Sequence, residues 1–261
     1  MTEPTVETEP TASRSFALRT RASVDVFTRI LTHGPIGRIS IGRAVGLSQA
    51  AVTKAVAPLI RAGFVHEDIA AQPGLAPGRP VYPLSVVPMS LLVIGVKVNP
   101  GEVIGVATTM TADVLHTAHR AVVDNSVAAV VEAVAALTVE LQVALGAQAD
   151  RVAGIGVSVS GDVDSANGVV RDSPLLGWEG IRLRSLLEDR IDLPILIDND
   201  VRALTIAEQW FGVGVDVDSF AIATIGAGIG SGIYLNGDVV AGSHGVAGEI
   251  GHLPLASEDL I

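Results

Sequence analysis

At 261 residues and 49% hydrophobic content, the chain is long enough for one large or two ordinary domains with a buried core. It has no cysteine, which excludes disulfides and thiolate metal sites. The net charge of -11 conceals an asymmetry: residues 14–88 carry nine Arg or Lys against three acids, whereas residues 89–261 carry eight basic residues against twenty-two acids. A basic N-terminal module on an acidic body suits a polyanion partner for the first part only.

Residues 1–13 are rich in Thr, Glu and Pro, lack apolar periodicity and read as a disordered tail. They do not form the basic start and apolar block of a secretory signal, and the later apolar runs are interrupted by charge or Gly. The expected compartment is therefore the cytoplasm, with no membrane partner.

Residues 14–88 are expected to form a winged helix-turn-helix domain. Val24, Phe27, Ile30 and Leu31 at helical spacing predict a first helix that stops near Gly34-Pro35. A second short helix is expected after Ser40. Gly42, four residues before Gly46, belongs at a close helix crossing, and Gly46-Leu47-Ser48 supplies a tight turn and an N-cap hydroxyl for a third helix. In that helix Val52, Val56, Leu59 and Ile60 form the buried stripe. Ser48, Gln49, Ala50, Thr53 and Lys54 are then the residues expected to meet duplex DNA, with Gln and Thr reading base edges and Lys neutralising phosphate. Pro58 is a departure that removes one helical hydrogen bond. Phe64-Val65-His66 and Val81-Tyr82-Pro83-Leu84 form a wing around Gly78-Arg79-Pro80, whose Arg79 reaches for a minor groove. The plain alternative is a small helical bundle with solvated charges.

From Leu91, strand-like runs (LLVIGVKV, EVIGVATT, VAGIGVSV, PILID, SFAIATI) alternate with helices over about 127–145, 183–190 and 201–211, the pattern of an α/β domain with a largely buried sheet. Asn199 and Asp200 follow PILID and open a helix, where side chains project from a sheet edge into a crevice. An amide beside a carboxylate can orient a polar ligand, since Asn donates and accepts while ionised Asp only accepts; simple capping of the next helix is the alternative. Gly226, Gly228, Gly230 and Gly232 alternate in a pattern that permits close backbone approach to a phosphate, or forms an ordinary hairpin.

The ordered motifs GIGVSVSGDVD (154–164), GVVRDSPLLGW (168–178), LPILIDNDVRALTIAE (193–208), TIGAGIGSGIYLNG (224–237) and AGEIGH (247–252) resemble the ROK family of sugar kinases and related repressors. With the preceding winged helix, the chain is similar to the repressor branch. The resemblance implies an actin-like (ribonuclease-H-like) sugar-kinase fold, with a sugar cleft between a first lobe at about 91–212 and a partial second lobe at 213–261. It also implies sugar contacts from Asn199, Asp200, Glu249 and His252, with Asp200 matching the general base of the family's kinases.

Two departures shape the expected function. Where the kinases carry an Asp-Xaa-Gly-Gly-Thr phosphate loop, this chain reads Lys97-Val98-Asn99-Pro100-Gly101, so a phosphate cradle and ATP turnover are not expected. The cysteines of the family's zinc segment are absent, so His252 is a remnant zinc ligand in an incomplete site and no cofactor is expected. The chain, ending at Ile261, is either a fragment or a truncated relative. The expected function is a DNA-binding transcriptional regulator, a repressor of carbohydrate-utilisation genes, not an enzyme. Its partners are a duplex DNA operator, a sugar or sugar-phosphate effector and a second copy in a homodimer. The alternatives are an ATP-dependent sugar kinase, or a DNA-binding protein with a non-functional truncated sensor.

Overall fold

The computed structural model of the chain describes residues 18, 20–68, 82–226, 228–240, 242 and 247–248. The chain divides into two compact units between Val87 and Pro88. The first holds three helices, α1 (Arg21–His33), α2 (Arg38–Val45) and α3 (Gln49–Arg61), followed by the antiparallel pair β1 (Val65–Glu67) and β2 (Leu84–Val86).

α1 opens with a capping box in which the Thr20 side chain accepts from the Ser23 amide and the Ser23 side chain accepts from the Thr20 amide, pairing two end donors reciprocally. Its buried face is Ser23, Val26, Phe27 and Ile30. This corrects the sequence expectation by part of a turn: Val24 is 42% exposed while Val26 is fully buried. α2 begins at Arg38, not after Ser40, because extended Gly37 serves as its N-cap without any side-chain hydrogen bond. The α2–α3 turn follows the expected chemistry. Gly46 is left-handed (φ 68°) and Ser48 Oγ accepts from the Ala51 amide at 3.2 Å. Ile41, Val52, Val56, Leu59, Phe64, Val65 and Leu84 are buried in this unit.

The second unit is built on a five-stranded sheet of β3 (Leu92–Asn99), β4 (Glu102–Thr109), β5 (Val114–Ala121), β6 (Val152–Val159) and β10 (Ile195–Asn199), in the order β10-β6-β3-β4-β5. β3, β4 and β5 run as an antiparallel meander; β6 lies parallel to β3, and β10 parallel to β6. Helix α4 (Val127–Leu145) packs on β4 and β5, where Gly105 leaves room for it: a Cβ there would stand 2.1 Å from Leu137 Cδ2. By length and composition, Val127–Arg151, which contains an 18-residue window of mean hydropathy 1.8, is long and apolar enough to cross a membrane, although Glu132 and Glu140 interrupt the run as the sequence suggests. Its Val130, Val134, Leu137 and Leu141 are instead buried with the sheet residues, while Glu132 and Glu140 are exposed, as in a core helix of an α/β unit.

Between β6 and β10 lie a small antiparallel sheet of β7 (Asp162–Asp164), β8 (Val169–Ser173) and β9 (Trp178–Ile181), and helix α5 (Leu183–Glu188). After β10 come α6 (Asp200–Phe211) and a separate antiparallel sheet of β11 (Ser219–Ile225), β12 (Ile229–Leu235) and β13 (Asp238–Val239). α6 packs on both the first sheet and the last, so its N-terminus lies where the two approach.

Candidate functional site

A cleft of about 500 Å³ opens at this junction, lined by the carboxyl ends of β3, β6 and β10, the start of α6 and the β11–β12 hairpin. Parallel β3, β6 and β10 all deliver their last residues to one edge, which is why Lys97, Ser158, Ser160, Asn199 and Asp200 share it although they are far apart in sequence.

Asn199 caps α6. Its Oδ1 accepts from the amides of Val201 (2.9 Å) and Arg202 (3.0 Å), and its Nδ2 donates to the Gly161 carbonyl at 2.9 Å. The oxygen is thus committed to the helix and one N–H to the β6–β7 turn, leaving a single N–H for a ligand. Asp198, which sequence reasoning passed over, ties the surrounding chain together. It accepts from Ser165 Oγ (2.7 Å) and the Asn199 amide (2.8 Å), and pairs with Arg202 Nε at 3.4 Å. Part of its signal was present in the Asp-Asn-Asp triplet, which places an acid beside the cap and the first turn of α6, but its long-range donor Ser165 was not legible from local spacing. Nearby, Asn167 donates to Asp164 from its side chain and backbone and holds that carboxyl below the usual range, with Arg171 adding to the effect.

Asp200 accepts from the Val201 amide through Oδ1 at 2.9 Å, and its Oδ2 faces Lys97 Nζ at 3.3 Å. This pair was not foreseen. Lys97 was read as the loss of an acidic residue, whereas in three dimensions it is the direct partner of Asp200. The following turn is closed to a phosphate. Pro100 has no amide hydrogen, the Gly101 amide (φ 79°) donates to Asn125 Oδ1 at 3.1 Å, and the Gly101 carbonyl accepts from the Val122 amide at 2.8 Å. Asn125 is itself held by Trp178, whose Nε1 donates to its carbonyl at 2.7 Å.

The alternating glycines divide into two kinds. A Cβ on Gly232 would stand 1.7 Å from Thr205 Oγ1, and one on Gly230 would stand 2.9 Å from Val201 Cγ2, so these two let β12 lie on α6. Gly226 and Gly228 have open space and border the cleft, but the Gly226 amide donates to the Gly228 carbonyl at 2.9 Å. Glu249 and His252 lie outside the described residues. Gly248, just before them, passes close to β12, where a Cβ would meet the Ser231 carbonyl oxygen at 1.9 Å.

In the first unit Gln49, Ala50, Thr53 and Lys54 all lie on the exposed side of α3, opposite buried Val52, Val56 and Leu59. Ser48 Oγ is engaged in capping, and Thr53 Oγ1 donates back to the Gln49 carbonyl at 2.9 Å, leaving its lone pairs and methyl outward. Arg43 is exposed beside Gln49 in a surface groove between α2 and α3, whereas Arg38 pairs with Glu67. Arg79 lies outside the described residues.

Two sheets meeting on one helix, with a polar cleft between them, define the actin-like architecture of sugar kinases and their non-catalytic relatives. The chain belongs to the ROK family, whose sequence profile matches residues 98–261. It is 31% identical over 237 residues to a putative xylose repressor of Caldicellulosiruptor sp. (strain Rt8B.4), covering 90% of this chain and 58% of that protein. Among solved structures, a ROK family transcriptional regulator described as a homologue of the E. coli MLC protein matches with a TM-score of 0.74 and 28% identity, over 90% of this chain and 59% of its own. A ROK family glucokinase from Streptomyces griseus, solved with glucose and AMPPNP, matches with a TM-score of 0.55 and 27% identity, over 63% of this chain and 51% of its own. The chain thus spans a little under three fifths of the length of these two regulators.

Proposed function

We propose that the chain is a DNA-binding transcriptional regulator, a repressor of carbohydrate-utilisation genes, in which a winged helix-turn-helix carries the operator contacts and the kinase-like unit senses a sugar without phosphorylating it. The observation that carries this reading is the extent of the likenesses: the two regulators match 90% of the chain, across both units, while the glucokinase matches only 63%. The exposed face of α3 supports it. Gln49 and Lys54 stand free near the helix N-terminus, on the half that enters a major groove in helix-turn-helix proteins. The net charge of +6 over residues 14–88 supplies the attraction to phosphate. Ser48 acts by holding the start of α3, and Arg79 on the wing reaches the minor groove. Helix-turn-helix proteins commonly read two half-sites, so the working form is a homodimer in the cytoplasm.

The Lys97–Asp200 pair and the closed turn at Pro100–Gly101 favour sensing over catalysis. Asp200 Oδ2 is engaged by the Lys97 ammonium and not left open to a substrate hydroxyl, and the turn offers no amide cradle for a phosphate. Asn199 and Asp200, with Glu249 and His252, hold the sugar. Selection of duplexes from a random pool by the intact chain, followed by titration of the selected duplex with a monosaccharide panel, tests the reading. Enrichment of a two-fold symmetric motif, with an affinity that responds to one sugar, is expected. No enrichment over a pool passed through without protein would contradict it.

A further inference from the structure

Lys97 and Asp200 are the only ionisable side chains lining the large cleft among the described residues. Lys97 is half exposed and has no partner there other than Asp200, whose side chain is 17% exposed. An ammonium carries three N–H donors, and one directed at Asp200 Oδ2 leaves two for the cleft. The hydroxyls of Ser158, Ser160 and Thr224 line the same space. A neutral polyol, which both donates and accepts, has no need of a cation here. An oxyanion accepts only, and it is complemented by a wall rich in donors.

The pair also removes the main electrostatic objection to an anion in this place. A bare carboxylate at the head of α6 would repel a second negative charge. With Lys97 Nζ 3.3 Å away, the two groups are together neutral, and the flexible lysine stem lets the ammonium bridge Asp200 and a ligand.

We propose that this cleft takes an oxyanion-bearing sugar derivative, a sugar phosphate or a sugar acid, with the oxyanion on Lys97 Nζ and a neighbouring hydroxyl donating to Asp200. This rests on the sensor reading above and names its ligand class. Lys97 is then the specificity residue that separates charged from neutral forms of one sugar.

Calorimetric titration of the intact chain with matched sets tests it: glucose, glucuronate and glucose 6-phosphate, with the corresponding galactose and N-acetylglucosamine sets, and inorganic phosphate and acetate alone. In at least one set a charged member binds about tenfold or more tighter than its neutral parent, as a charge-assisted hydrogen bond in a partly enclosed site supplies; the carboxylate and phosphate arms show which oxyanion is preferred. Lys97→Met abolishes that gap, and Lys97→Arg keeps part of it. Neutral sugars that bind as tightly as their charged relatives in every set overturn this proposal and leave the sensor reading standing. A charge preference that survives in Lys97→Met, or that inorganic phosphate alone reproduces, also overturns it. Failure of every sugar to bind, charged or neutral, overturns the sensor reading and this proposal with it.

Discussion

Gly42 shows how one residue fixes the geometry on which DNA reading depends. A Cβ at this position would lie 2.6 Å from the carbonyl oxygen of Leu47, so any side chain would force α2 away from the turn that launches α3. Gly42→Ala is expected to cost about 1–3 kcal/mol, the usual range for an overpacked site with no flexible neighbour to yield, and to lower DNA affinity in step. Thermal denaturation and binding measured on the same preparation check this. The sequence placed Gly42 at a close helix crossing, and a Cβ there would meet the turn backbone first, with Val52 Cγ2 of α3 next at 3.5 Å. At the cleft, the pairing of Asn199 with the next helix was legible as an alternative, because an Asn one residue before a helix is a good cap. The Lys97–Asp200 pair was not, because no local spacing links the end of β3 to the start of α6, which parallel pairing of β3, β6 and β10 brings to the same edge. That pair leads to a second prediction. Purified protein supplied with Mg-ATP and a sugar panel is expected to form no sugar phosphate, and turnover that disappears in Asp200→Asn would contradict the non-catalytic reading.

Helices with one apolar stripe were the most legible elements, and edge strands the least. α3 and α4 lie where their periodicity put them, with Val52, Val56 and Leu59 buried in the first and Val130, Val134, Leu137 and Leu141 in the second. β5 (VLHTAHRA) escaped notice because it is an edge strand with only Ala118 buried, so burial imposes no alternation on it. The β7–β8–β9 sheet was missed for a related reason. Its strands are three to five residues long, too short for a period to be read. β11 is apolar on both faces, with Phe220 and Ile222 on one side and Ala221, Ala223 and Ile225 on the other; Ile225 is 87% exposed among the described residues. α3 yields the prediction that belongs at this scale. Lys54→Ala is expected to weaken binding to all duplexes alike and to reduce the salt slope by about 1, the loss of one phosphate contact. Gln49→Ala is expected to relax preference at one base pair by about 1–3 kcal/mol while leaving the salt slope unchanged. Binding curves at several salt concentrations on specific and scrambled duplexes separate the two effects.

Across the whole molecule, opposite charge balances fall on the two units, and the likeness to regulators runs through both. The basic balance of residues 14–88 is the simplest global expression of the proposed function, since the acidic remainder would repel DNA by itself. Division near residue 88 was legible from the shift in charge and from the start of β-type alternation at Leu91, both of which mark a change in what each part must bury and contact. The central claim is that the first unit carries the DNA contacts. The most direct measurement is the affinity of the intact chain for a selected duplex across a salt series, beside that of a chain lacking residues 14–88, with circular dichroism to verify that the shortened protein retains its α/β fold. The account predicts binding that falls steeply with salt in the intact chain and is lost on deletion. Affinity unchanged by the deletion would contradict it.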